Sequence, residues 1–123
     1  RERIALAVAE HNACEYCLSA HSYLGQRVAK LGAGEIAAAR NGESRDPAAQ
    51  AALTFARRVL DARGHVADAE LGAVRAAGFD DAAVIEIVAN VALNVLTNYI
   101  NSMAQTDIDF PRVGGRSTEK LAA

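Results

Sequence analysis

Cys14 and Cys17 are the only thiols in the chain, and they open the stretch Cys14-Glu-Tyr-Cys17-Leu-Ser-Ala-His21. A Cys-x-x-Cys spacing is the tightest at which two thiols close a disulfide readily. The pair therefore suits reversible oxidation or metal ligation. His21 follows Cys17 by four residues. On a helix that offset puts the imidazole one turn further along the same face, close enough to exchange a proton with sulfur.

Three kinds of chemistry compete for these residue types. Free cysteines are often just small buried hydrophobes, but a pair at a helix start is expected to be incompletely buried. Zinc is the second reading, because His11, Cys14, Cys17 and His21 supply the four ligands of a tetrahedral site. Against it, His11 and His21 fall on different helices, and small zinc modules use the metal to replace a core that this chain has. Thiol redox chemistry is the third and the favoured reading. Cys17 would occupy the first turn of a helix, where unpaired backbone N–H groups stabilise an anion and lower a thiol pKa. His21 can take the thiol proton or return one to a leaving group. Cys14, in the break before the helix, can condense with an oxidised Cys17. A redox sensor whose disulfide forms without turnover would use the same residues.

Glu2 tests the geometry. It precedes Cys14 by twelve residues, about 18 Å along a straight helix and useless there. If the two helices fold back as a hairpin around Ala13, residue 2 comes opposite the low twenties. Its carboxylate then lies beside His21 and can fix the imidazole tautomer, giving a Glu2–His21–Cys17 proton relay. An exposed carboxylate near a helix start satisfies the same sequence.

The elements that must position these groups are all helical. Residues 1–12 read as a helix already under way, and Asn12-Ala13-Cys14 breaks it. Residues 15–31 form the next, with Leu18, Tyr23 or Leu24, Val28 and Leu31 as its apolar stripe and Gly32 as a left-handed C-terminal residue. A short helix runs from Gly34-Glu35 to Asn41-Gly42. Asp46-Pro47 starts a longer one, the aspartate capping and the proline suited to the first helical position. Its apolar residues include Leu53, Phe55 or Ala56, and Val59, and it stops near Arg63-Gly64. Asp68 begins a helix ending at Ala77-Gly78. Asp80 caps the last, about residues 81–104, whose apolar positions Val84, Ile85, Val88, Val91, Ala92, Val95, Leu96, Tyr99 and Met103 recur at three and four residues. The expected fold is all-α: a compact bundle of about six helices, with a helical hairpin carrying the Cys-x-x-Cys site. Residues 1–110 form the helical domain and 111–123, with Pro111 and Gly114-Gly115, an irregular C-terminal tail.

Length and composition bound the function. A chain of 123 residues, 51% hydrophobic and 23% charged, folds as one domain with a core of its own. A net charge of −2 gives no electrostatic case for nucleic acid or an anionic membrane. Arg57-Arg58, the closest basic pair, reads as solvated helix surface. No run is expected to reach the roughly 18 apolar residues of a membrane span. With no basic-then-apolar leader in view, the expected location is cytoplasmic, where a cysteine pair is more often catalytic or metal-binding than a staple. The chain opens in a helical pattern without Met, which suggests an upstream segment.

Glu2, eleven residues, then Cys14-x-x-Cys17-x-x-x-His21 resembles the alkylhydroperoxidase AhpD-like branch of the carboxymuconolactone decarboxylase superfamily. Ala92-Leu93-Asn94-Val95-Leu96-Thr97-Asn98-Tyr99, followed by Asp109-Phe110-Pro111, is similar to members of the same branch. The resemblance spans nearly the whole chain. It implies an all-helical homo-oligomer, trimer or hexamer, with peroxidase or thiol–disulfide activity. It further implies a hydroperoxide substrate, an external dithiol reductant and no cofactor. On that pattern Cys17 becomes the sulfenic acid, Cys14 donates a proton and resolves, and Glu2 and His21 are the acid and base of the relay. The chain departs at Tyr16, where the best-studied members carry histidine, and a phenol does not shuttle protons at neutral pH as an imidazole does. The decarboxylase branch lacks the cysteine pair, which argues against lactone decarboxylation here.

Two features stay outside the site. His11 and His65 match no assigned role, His65 reading as loop surface. Asn90, Asn94, Asn98 and Asn101 form a stripe on the last helix, in a residue type that disfavours helices. The stripe is expected to serve a subunit interface or an internal polar network more than the thiol pocket. Tyr23 and Tyr99 are expected to pack, not react.

Overall fold

The computed structural model describes residues 1–116 and contains six helices and, among those residues, no strand. They are α1 (Glu2–His11), α2 (Glu15–Arg27), α3 (Ala33–Arg40), α4 (Pro47–Asp61), α5 (Asp68–Ala76) and α6 (Asp81–Ala104). The architecture is the all-α bundle that the helical spacing and caps predict. Asp46 caps α4 through Ala48 and Ala49 N–H with Pro47 at the first turn, and Asp80 caps α6 through Ala83 N–H.

α1 is the central element. It packs against α2, α3, α4 and α6, which is why its residues from Ile4 to Glu10 are all buried. The main core joins Ile4 and Val8 of α1 to Leu53, Phe55 and Val59 of α4, Val74 of α5, and Val84, Ile87 and Val91 of α6. A second, smaller cluster consists of Ala9, Leu18 and both cysteines, with Tyr16 against it. Two ion pairs tie α1 to α3: Arg3 to Glu35 at 2.6 Å and Arg40 to the buried Glu10 at 2.7 Å. Nothing in the residue types alone picks out these pairings, because each partner lies about thirty residues from the other.

Three sequence expectations are corrected. α2 stops at Arg27, not at residue 31. The Leu31 N–H returns to Gly25 O at 2.9 Å, and Lys30, not glycine, takes the left-handed conformation at φ 57°. Gly32 instead has φ −69° and is the N-cap of α3. Val28, beyond the end of α2, is accordingly exposed. Among the left-handed glycines of the fold, Gly42 after α3 has φ 73°, and a Cβ there would collide with the Arg57 side chain. Arg57 lies across that turn and donates to Asn41 O at 2.7 Å, while Arg58 pairs with Glu70; both arginines are exposed.

The third correction concerns α6, which is apolar on more than one side. Val84, Ile87 and Val91 face the core, whereas Ile85, Leu96, Tyr99 and Met103 from the same apolar pattern are exposed. By length and composition alone this helix could cross a bilayer, contrary to expectation. Asn94 and Asn98 are buried within the bundle, and unpaired amides are costly in lipid, so its inner face is built for protein contact.

Of the expected tail, residues 111–116 are described and carry no helix. They pack on the site helix. Val113 N–H donates to Ser19 Oγ at 2.9 Å, Arg112 reaches Glu15 at 3.0 Å, and Arg40 reaches Gly114 O at 2.8 Å. The rest of that tail, 117–123, lies outside the described residues.

Candidate functional site

The turn between α1 and α2 is where the site begins. α1 ends with Cys14 N–H bonded to Ala9 O at 3.0 Å and Ala13 N–H to Glu10 O at 3.2 Å, Ala13 being left-handed at φ 54°. This is a Schellman closure, which satisfies the last carbonyls of a helix while reversing the chain. The reversal makes Cys14 the N-cap of α2, and its Sγ accepts the Cys17 N–H at 3.3 Å. Cys17 follows at the third position of the helix. The two are joined as a disulfide, with Cα atoms 5.3 Å apart.

Two details differ from the sequence reading. The helix-start N–H goes to Cys14, not to Cys17. Both cysteines are only 2% exposed in the single chain, where incomplete burial is expected of a helix start. Both sulfurs sit in a small apolar cluster with Ala9 and Leu18, with Tyr16 packed against it. Phe110, after α6, in turn lies edge-on to Tyr16 at 5.9 Å and tilted against Tyr23 at 5.8 Å.

Folding α1 back on α2 brings residue 2 to residue 21. His21 Nδ1 and Glu2 Oε2 are 2.8 Å apart, both side chains roughly a quarter exposed. The hydrogen bond with His21 holds the Glu2 carboxyl below its usual range, outweighing burial, which acts the other way. A carboxylate with a depressed folded-state pKa stabilises the fold above its unfolded value and loses that contribution as pH falls through the folded one. Glu2→Gln keeps an acceptor but removes the titration. Its unfolding free energy should lie below wild type near neutrality and converge with it in acid, as urea midpoints between about pH 3 and 7 would record. Parallel curves would mean that the pair does not couple.

Tyr16 does not replace the missing imidazole. Burial and the neighbouring Asp109 carboxylate push its phenol up, so it stays protonated at neutral pH. Tyr23 and Tyr99 are both exposed, Tyr23 with one ring contact to Phe110.

The other histidines are elsewhere. His11 turns to Asp61, Nδ1 to Oδ1 3.7 Å, and His65 is exposed. Among the described residues no three His, Cys, Asp or Glu side chains converge as metal ligands.

The asparagine stripe divides along α6. Asn90 and Asn94 donate back to helix carbonyls, Glu86 O and Asn90 O, each at 2.7 Å. Asn98, fully buried, accepts from Asn12 Nδ2 at 3.0 Å. Asn101 Nδ2 donates to Cys17 Sγ at 3.6 Å. Sequence reasoning ranked the thiol pocket second for this stripe and did not single out Asn101. The available signal was the recurrence of a poor helix former on one face, which marks the stripe but not its partners.

No protein-family model and no curated protein matches this chain. Among solved structures, the crystal structure of an uncharacterized peroxidase-related protein from Silicibacter sp. TM1040 has a similar fold. It superposes with a TM-score of 0.75 at 22% sequence identity, over 91% of this chain and 58% of that one. The present chain thus spans less than two-thirds of that protein's length. At this identity the likeness is one of fold: six helices arranged as in a peroxidase-related protein, with a cysteine pair at the start of α2.

Proposed function

We infer that the chain is a thiol-dependent hydroperoxide reductase of the alkylhydroperoxidase AhpD-like kind. The observation that carries this reading is the 2.8 Å contact between Glu2 of α1 and His21 of α2, the histidine lying one turn beyond Cys17 of a cysteine pair that closes a disulfide. A carboxylate bound to one imidazole nitrogen fixes the tautomer and leaves the other nitrogen as an acceptor, which is what a thiol about to lose its proton requires.

In the proposed cycle His21 accepts the Cys17 proton and the thiolate attacks the terminal oxygen of the hydroperoxide. The O–O bond breaks, Cys17 becomes a sulfenic acid, and the alkoxide leaves as an alcohol with the proton returned by His21. The Cys14 thiol then attacks the sulfenic sulfur, expelling water and forming the Cys14–Cys17 disulfide. An external dithiol takes up that oxidation by exchange, ending as its own disulfide and restoring both thiols. No cofactor enters. The peroxidase-related name of the structural neighbour agrees with this chemistry. The same reading takes the protein to be cytoplasmic. It also assembles the chain as a homo-oligomer, trimer or hexamer, through the outer face of α6, where Leu93, Leu96, Tyr99 and Met103 are more than half exposed. Sedimentation velocity distinguishes that assembly from a monomer.

A sensor without turnover is the second reading, and the near-complete burial of both sulfurs favours it. The assay that separates the two supplies a dithiol such as dithiothreitol in excess and follows hydroperoxide loss. Many equivalents consumed per chain, in proportion to enzyme, support the reductase. One equivalent consumed and then nothing would leave only the sensor.

A further inference from the structure

The two sulfurs have different hydrogen-bond donors, and only one comes from nearby in sequence. Cys14 Sγ takes the N–H at the start of α2. Cys17 Sγ takes its donor from α6, the Asn101 side-chain amide, eighty-four residues away in sequence. One turn earlier Asn98 is held by Asn12, two residues before Cys14, so consecutive turns of α6 grip the site turn through side-chain amides. Asn98 Nδ2 is fully buried and has no acceptor among the described residues. At this turn α6 therefore gives one amide N–H to Cys17 and holds a second, buried one without an acceptor among the described residues.

The geometry points to Asn101 as the residue that holds the Cys17 thiolate. It does for that sulfur what the start of α2 does for Cys14. A hydrogen bond to a charged acceptor is stronger than one to a neutral acceptor, so the Asn101 amide favours the ionised over the protonated thiol. The titratable groups on the segments nearest the pair are Glu15, Tyr16 and His21 on α2, Glu2 and Glu10 on α1, and Asp109 and Arg112 after α6, while His11 turns away to Asp61. From Val88 to Ala104, α6 carries no charged residue. Changing Asn101 therefore leaves every one of those charges in place. The inference rests on the redox reading for its purpose but not for its test.

The test measures thiol acidity with no peroxide present. In reduced Cys14→Ser protein, the pH dependence of iodoacetamide alkylation gives the Cys17 titration midpoint. Asn101→Leu should raise that midpoint by about one to two pH units, roughly 10- to 100-fold in acid constant. Asn101→Asp, which keeps the shape but replaces the donor with a charge, should raise it at least as far. In Cys17→Ser protein the same changes should leave the Cys14 midpoint where it was. Far-UV circular dichroism matching the parent identifies variants that remain folded. A Cys17 midpoint unmoved in both folded variants overturns the inference, as does an equal shift at Cys14. Neither result bears on whether hydroperoxide is consumed, so failure here is distinct from failure of the reductase reading.

Discussion

Cys17→Ser is expected to abolish hydroperoxide consumption while leaving the helical fold intact. Serine is nearly the shape of cysteine, and at this buried position its hydroxyl has a donor waiting in Asn101, so little packing is lost. A neutral alcohol is not a nucleophile at neutral pH unless a base activates it, and oxygen cannot hold the second oxidation state that sulfur does. Cys14→Ser should behave differently. Serine is a good N-cap, so α2 keeps its start. Cys17 would then still be oxidised by one equivalent of hydroperoxide, but no disulfide could follow, and turnover would stop at the sulfenic acid. Full activity in Cys17→Ser, with near-normal circular dichroism, would show that the sulfur identified here is not the one that reacts.

Leu53→Ala should do the reverse, costing stability and sparing chemistry. Leu53 is 1% exposed in the core cluster that α1, α4 and α6 share, remote from the cysteine cluster. Truncating a buried leucine removes transfer free energy and leaves a cavity, together costing about 2–5 kcal/mol. Against the roughly 5–15 kcal/mol that holds a domain folded, that is a large share. A melting midpoint lower by roughly 10–20 °C is expected at this size. Activity per folded molecule should be unchanged at low temperature. A loss below about 1 kcal/mol would mean that the core closes around the gap, and the packing described for α4 would need revision.

Helix starts were legible because their signals are local. Asp46-Pro47 and Asp80 place a cap oxygen next to the N–H groups it serves. The meeting of Glu2 and His21 was also within reach, since a hairpin about Ala13 sets the register by counting residues. The end of α2 was not, because Lys30 adopts a conformation that residue type disfavours and only the tertiary packing around Gly25 and Leu31 requires. The divided faces of α6 could not be told apart either. Its apolar pattern marks Val91 and Leu96 alike, while burial depends on where α1 and α4 lie. Asn101 reaches Cys17 across most of the chain, and a pairing at that separation leaves no trace in local spacing.

The central claim is that hydroperoxide turns two thiols into one disulfide within this chain. Intact-mass analysis of the fully reduced protein, before and after one equivalent of hydroperoxide and with excess alkylating agent added last, reads it directly. The account predicts a product lighter by two hydrogens that takes up no alkyl group and regains both sites after reduction with a dithiol. An unchanged mass with both thiols still open to alkylation would contradict it.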